Sequence, residues 1–245
     1  MLKLLSYPLT LVFFICFGLI LVIFHPIQWI CLNIFGYNTH KQSVSVFNWF
    51  LLRCTNLLGT HYRFENPHHI PSDKPLIIVT NHQSMYDIPP IIWYMRKHHP
   101  KFVAKKELGK GIPSVSYNLR HGGSALIDRK DTKQALTEIA KLGSYVEKNN
   151  RAAVIFPEGT RSRTGHPKPF KPMGLKILLK KAPSALVVPI TINNSWKLLR
   201  YGQFPMGLGA YVQFHVHQPI ENTGNADDLI AKVEEQIKEK IKVDQ

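Results

Sequence analysis

The chain has 245 residues, enough to close one full hydrophobic core with an appendage, and a formal net charge of +15. Such an excess attracts phosphate, whether on nucleic acid, an anionic headgroup or a phosphorylated substrate, without choosing among them. The three cysteines, Cys16, Cys31 and Cys54, all lie among apolar residues in the N-terminal quarter, which excludes a disulfide scaffold and leaves no thiol nucleophile in the rest of the chain.

From Leu4 to His40 there is no Asp, Glu, Lys or Arg, and Leu4 to Phe24 alone is 21 residues. At about 1.5 Å per residue that stretch crosses a hydrocarbon layer roughly 30 Å thick. The only basic residue before it is Lys3, and no small-x-small cleavage site follows, which argues against a removed signal peptide. Pro26 interrupts the run, Ile27 to Phe35 continues it, and Trp29 is placed like an interfacial anchor. After a polar break from Gly36 to Ser43, Val44 to Leu58 mixes apolar residues with Asn48, Arg53 and Asn56, as expected of a helix at a membrane interface. Residues 1–60 therefore form an N-terminal membrane anchor, either one span or two helices in a single leaflet.

From His61 the composition becomes soluble, and residues 61–245 form a second unit. Tyr62 to Phe64, Leu76 to Thr80, Phe102 to Ala104, Ala125 to Ile127 and Ala153 to Phe156 read as strands, as do Leu186 to Ile192 and the alternating Val212, Phe214 and Val216. Pro189 suggests that its strand lies at an edge or carries a bulge. Helices are predicted over Ile88 to Arg96, Thr132 to Glu147 with Asp131 as cap, Met173 to Lys181 and Ala226 to Lys242. Strands alternating with helices give an α/β class with a mixed, mostly parallel sheet flanked by helices.

Two polar turns directly follow apolar strands, the position at which α/β folds place their chemistry. The first is Asn81-His82-Gln83-Ser84-Met85-Tyr86-Asp87. Residues five apart on a regular helix point about 140° away from each other, so His82 and Asp87 meet only if part of the segment is a turn. In such a turn the carboxylate fixes the imidazole tautomer and leaves the other nitrogen to take a proton. The second turn is Phe156-Pro157-Glu158-Gly159-Thr160-Arg161-Ser162, where Gly159 permits close backbone approach to an anion and Arg161 offers a fork for phosphate. Glu158 is positioned to hold that guanidinium or a hydroxyl. Between Glu158 and Glu221 there is no acidic residue, while Arg161, Arg163, Lys168, Lys171, Lys176, Lys180, Lys181, Lys197 and Arg200 all fall there.

The string His, four residues, Asp, with Asn81 before it and Gln83-Ser84 within it, resembles the first motif of the glycerolipid acyltransferases, in their lysophosphatidate branch. Gly123 to Arg129 resembles the second motif on Gly123 and Arg129, departing from the commoner pattern at Ser124 and Ala125. Phe156 to Ser162 resembles the third motif and Val187 to Ile192 the fourth, and Lys105 falls in a further family-like segment. The resemblance covers most of residues 61 to 192. It implies a general-base dyad of His82 and Asp87, an acceptor site of Lys105, Arg129, Glu158, Gly159 and Arg161, and an oxyanion stabilised near Asn81, Gln83, Ser84 or Gly159. It also implies lysophosphatidate and an acyl thioester of CoA or acyl carrier protein as substrates, membrane lipids as surroundings, a catalytic domain on the cytoplasmic side and no cofactor. A related acceptor, or a non-catalytic anionic-lipid binder, is the alternative reading. No nucleic-acid motif occurs, and His68-His69, His98-His99 and His215-x-His217 lack the cysteine or carboxylate partners of a metal site, so they read as surface groups and no metal is expected.

Overall fold

The computed structural model describes residues 2–243. Two long helices come first, α1 (Leu2–Asn33) and α2 (Tyr37–Asn56). They precede the alternating elements β1 (His61–Glu65), β2 (Leu76–Thr80), α3 (Ile88–Tyr94), β3 (Pro100–Lys105), α4 (Val115–His121), β4 (Ala125–Ile127), α5 (Thr132–Asn149) and β5 (Ala152–Ile155). The chain finishes with α6 (Pro172–Lys181), β6 (Leu186–Asn193), β7 (Tyr211–Val216), β8 (Ile220–Glu221) and α7 (Ala226–Glu239).

One sheet carries the molecule, in the order β1-β7-β6-β2-β5-β3-β4, with β8 also against β6. The pairings β1–β7, β6–β2, β2–β5, β5–β3 and β3–β4 are parallel, and β6 meets β7 and β8 antiparallel. Every residue of β2, β5 and β6 is buried, which is why these segments read as continuous apolar runs rather than alternations. The period of two divides them cleanly. Leu76, Ile78, Val154 and Val188 face a core shared with α1, α2 and α3, whereas Ile77, Val79, Ala153 and Val187 face one built on α5, α6 and α7.

Pro189 does not lie in an edge strand: β6 is flanked on both sides. The Leu186 amide donates to Pro75 O on the β2 side, so alternation turns the nitrogen of Pro189 to the opposite side. There the partner changes from β8, which pairs with Leu186 and Val187, to β7, which pairs from Ile190 onward. The missing donor falls in that gap.

Three helical expectations need adjustment. Helix α1 runs unbroken through Pro26, and on the turns before the proline Ser114 Oγ donates to the Leu21 carbonyl while the Ser114 amide donates to His25 Nδ1. Helix α2 begins at Tyr37, so most of the supposed polar break is helical; Gly36, with φ of 80°, makes the corner between the two helices. Helix α7 ends at Glu239 because the Asn193 side chain at the end of β6 takes over, donating to Lys240 O and accepting from the Lys242 amide. Helix α4, hidden between glycine- and proline-rich stretches, had no sequence signal long enough to register.

Among the described residues α1 is the one helix long and apolar enough to cross a membrane. It is also fastened along its length. Lys3 lies over the Tyr201 ring, the Thr10 hydroxyl accepts from the Met206 amide, Phe13 and Phe17 meet the ring of Tyr86, and Asn33 donates to the Tyr117 hydroxyl. Its other faces present Leu5, Leu11, Ile15, Leu19, Val22, Ile23 and Trp29 to the outside.

Candidate active site

The parallel order β2-β5-β3-β4 brings four strand ends side by side, and each carries residues singled out above. His82 and Asp87 follow β2, Glu158, Gly159 and Arg161 follow β5, Lys105 ends β3, and Arg129 follows β4. Segments as far apart as residues 82 and 161 thus meet on one rim.

The dyad itself is closed by a short 3-10 turn over Met85–Asp87, which supplies the non-helical geometry that the five-residue spacing demanded. Ser84 caps that turn, its hydroxyl accepting from the Tyr86 amide. His82 Nδ1 lies 2.8 Å from Asp87 Oδ2. The same oxygen accepts the amides of Gln83 and Ser84 at 2.8 and 2.9 Å, and Oδ1 accepts the hydroxyl of Ser195. A carboxylate so loaded with donors is an acceptor toward the ring, so the imidazole proton sits on Nδ1 and Nε2 is bare. Asp87 is fully buried while the His82 side chain remains 15% exposed, which shields the orienting charge and leaves the proton-accepting edge open. The imidazole stacks on Phe156, centroids 4.1 Å apart.

Ser195 had no sequence signal. It reaches the dyad because Asn194, at φ 67°, takes the left-handed conformation that asparagine tolerates better than most residues and turns the chain at the end of β6. The Ser195 amide donates to Gln83 Oε1, so the same residue braces the turn twice. Asn81 locks it from the other side, exchanging two hydrogen bonds with the Ile192 backbone at 2.7 and 2.8 Å. Asn81 and Gln83 therefore support the dyad through their side chains.

The Glu158 carboxylate points inward and is 2% exposed. It accepts the His82 amide at 3.0 Å and the Lys168 amide at 3.2 Å, tying the two polar turns together instead of holding Arg161. Burial raises its pKa to about 7 against the opposing pull of those two amides. The amides of His82, Gln83, Ser84 and Gly159 all donate within the protein, the last to Phe156 O, so none of these expected oxyanion donors is free.

Arg129 and Arg161 are both exposed and near neighbours: partial burial holds the Arg129 guanidinium below the ordinary arginine range, and Arg161 adds to the effect while Glu107 opposes it. Two like charges held together in the open are an arrangement that a phosphate dianion relieves. Gly159, at φ 70°, turns the backbone beneath them, and a side chain there would meet Lys171. Lys168 Nζ spans the turn from Thr160 Oγ1 to Arg161 O, both at 2.9 Å. Lys105 is exposed at its strand end.

An open, carboxylate-oriented histidine edge beside a cationic rim is suited to removing a proton next to an anionic substrate group. The chain belongs to the acyltransferase family, whose model matches residues 61–193. It is 41% identical over 134 residues to a 1-acyl-sn-glycerol-3-phosphate acyltransferase of Helicobacter pylori, covering 51% of this chain and 54% of that one. It is 30% identical over 176 residues to the protein of the same name from Saccharomyces cerevisiae, covering 69% and 54%. The chain spans about half the length of the curated relatives it matches. The crystal structure of the 1-acyl-sn-glycerophosphate (LPA) acyltransferase PlsC from Thermotoga maritima is similar over 98% of this chain and 96% of that one, at 27% identity and a TM-score of 0.78.

Proposed function

We propose that this chain transfers an acyl group from a thioester, of CoA or of acyl carrier protein, to the 2-hydroxyl of lysophosphatidate, giving phosphatidate and a free thiol. The observation that carries the reading is the bare Nε2 edge of His82, fixed by Asp87, on the same rim as Arg129 and Arg161. Nε2 takes the hydroxyl proton as the oxygen attacks the thioester carbonyl, and the developing oxyanion is met by rim cations. As the tetrahedral intermediate collapses the C–S bond breaks, and the thiolate recovers the proton from the imidazolium. No acyl-enzyme and no cofactor enter. Arg129 and Arg161, with Lys105 beside them, hold the acceptor phosphate, which fixes the hydroxyl relative to His82. The names of the relatives support the same acceptor.

The attachment of α1 from Lys3 to Asn33, about 45 Å at 1.5 Å per residue, supports insertion of α1 and α2 into one leaflet, because a helix fastened to the catalytic domain throughout has no free length with which to cross. The dyad turn then lies against the membrane helix through Tyr86, within reach of a lipid acceptor, with the domain on the cytoplasmic side where both thioester donors occur. The test is thiol release by purified protein with acyl-CoA or acyl carrier protein and a panel of acceptors: lysophosphatidate, glycerol 3-phosphate, other lysophospholipids and a lyso-ornithine lipid. Turnover with lysophosphatidate that disappears in His82→Ala is expected. Turnover confined to another acceptor would reassign the substrate.

A further inference from the structure

At the opposite end of the sheet, where the strands begin, positive charge collects without an acidic partner among the described residues. Lys101, the second residue of β3, is 6% exposed, and a recess beside it is lined by Lys41 and His40 of α2, Arg96 and His99. None of the residues lining the recess is acidic. Arg151, just before β5, lies across the Tyr37 ring from this group: its guanidinium carbon is 5.0 Å from the ring centroid, and Lys101 Nζ is 4.9 Å from it. Among the described residues no carboxylate pairs with Lys41, Arg96, Lys101 or Arg151. Two nitrogens of the group, His40 Nε2 and the donor Arg151 Nε, are buried without any hydrogen-bond partner.

Burying several cations together with no counter-charge is costly, and proteins arrange it where an anion is bound. The crowding opposes protonation: burial first, then Arg151 and Lys41, hold the Lys101 ammonium down to about 7, and burial with the surrounding cations holds His99 down to about 3. A surface pile of lysines would show neither the partnerless nitrogens nor the sealed ammonium.

We propose that this recess is an anion site for a phosphoryl group, distinct from the acceptor site at the dyad. Its free volume of about 20 Å³ admits one oxygen-sized atom, so a single phosphoryl oxygen enters toward Lys101 while the remainder of the group stays at the mouth with Lys41 and Arg96. A terminal monoester, with two charges and three free oxygens, fits this better than a diester. Two sources supply that chemistry. The mouth stands on the first turns of α2, beside the corner where Ile34 and Phe35 are each 65% exposed, so a lipid headgroup at an apolar boundary can reach it. Free phosphate is the other. From His82 the recess is separated by the length of the strands: Lys101 is level with Ala153 and Ala153 with Ile77, five residues before the dyad, about 16 Å at 3.3 Å per residue.

The proposal does not rest on acyl transfer and is tested by binding. Thermal unfolding of the full chain in detergent is followed in phosphate against chloride at matched ionic strength. Saturating phosphate is expected to raise the midpoint by about 5 °C. Lys101→Met should lose most of that rise, and the partly exposed Lys41→Gln, which carries little risk to folding, should reduce it. His82→Ala should keep it, and Arg161→Ala, which removes a phosphate contact on the acceptor rim, should leave the Lys101-dependent part of the rise in place. Co-flotation with phosphatidylcholine vesicles containing phosphatidate or, at equal charge, phosphatidylglycerol separates the sources. A several-fold loss in Lys41→Gln and Lys101→Met confined to phosphatidate supports the headgroup, and a loss of the phosphate rise with unchanged flotation supports the free anion. A rise abolished by Arg161→Ala and untouched by Lys41→Gln and Lys101→Met would overturn the site.

Discussion

The two ends of the sheet treat charge in opposite ways. Where β2, β5, β3 and β4 finish, the buried Asp87 carboxylate is surrounded by donors: His82 Nδ1, two amides and the Ser195 hydroxyl. Where β3 and β5 begin, Lys101 and Arg151 lie against a tyrosine ring with partnerless nitrogens nearby and, among the described residues, no acid paired to them. The first arrangement is complete before any substrate arrives, which is the condition for a base whose orientation costs nothing at the moment of reaction. The second is complete only with a ligand. The same fold thus holds a preorganised dyad and, about a strand's length away, an unneutralised cluster, and the difference lies in whether the buried charge meets partners of its own.

The sharpest way to break the comparison is at its finished end. His82→Ala or Asp87→Ala should lower kcat by about 10²- to 10⁴-fold with the fold retained, measured as thiol release alongside circular dichroism. Retained turnover in either variant would sink the general-base reading. Arg161→Ala should cost about 10- to 100-fold in kcat/KM, the worth of a charge-assisted contact. Because the phosphate is held before and during reaction, most of that loss should sit in KM.

A smaller effect separates orientation from chemistry. Ser195→Ala removes one of the donors on Asp87 and should lower kcat by about tenfold with KM unchanged, whereas a purely structural role would show as a lower melting temperature with normal kcat. The smallest effect concerns Glu158, whose folded carboxyl titrates at about 7 against an ordinary 4.5. The folded protein therefore binds this proton more tightly than the unfolded chain, so the stabilisation is fully present below about pH 4.5 and is lost as the pH rises through 7. Glu158→Gln should flatten that part of the profile. Melting temperatures of wild type and variant, compared from pH 4.5 to 8, should diverge in favour of the variant, and parallel curves would contradict the inward-facing, buried carboxyl.

Much of this was readable beforehand because local pattern and tertiary role coincide. The buried runs of β2, β5 and β6 are apolar on both faces since helices cover both, and the capped, amphipathic α5 was marked by Asp131, whose carboxylate accepts the Gln134 amide. Legibility failed where a residue's role depends on a distant partner. His98 and His217, read as surface groups, are buried, the latter bonded to Thr191. Glu158 looked like a partner for its near neighbour Arg161 and is instead bonded to an amide 76 residues away.

By itself the sequence singled out the two polar turns at strand ends and showed that the strands alternate with helices, because strand period, turn residues and the spacing of His82 and Asp87 are local properties. Only the tertiary structure decided which amides remained free, that Ser195 holds Asp87, and that Lys41, Lys101 and Arg151 share one place. Those facts are set by strand order and helix packing, and hydrogen-bond satisfaction between segments a hundred residues apart leaves no mark on either segment alone.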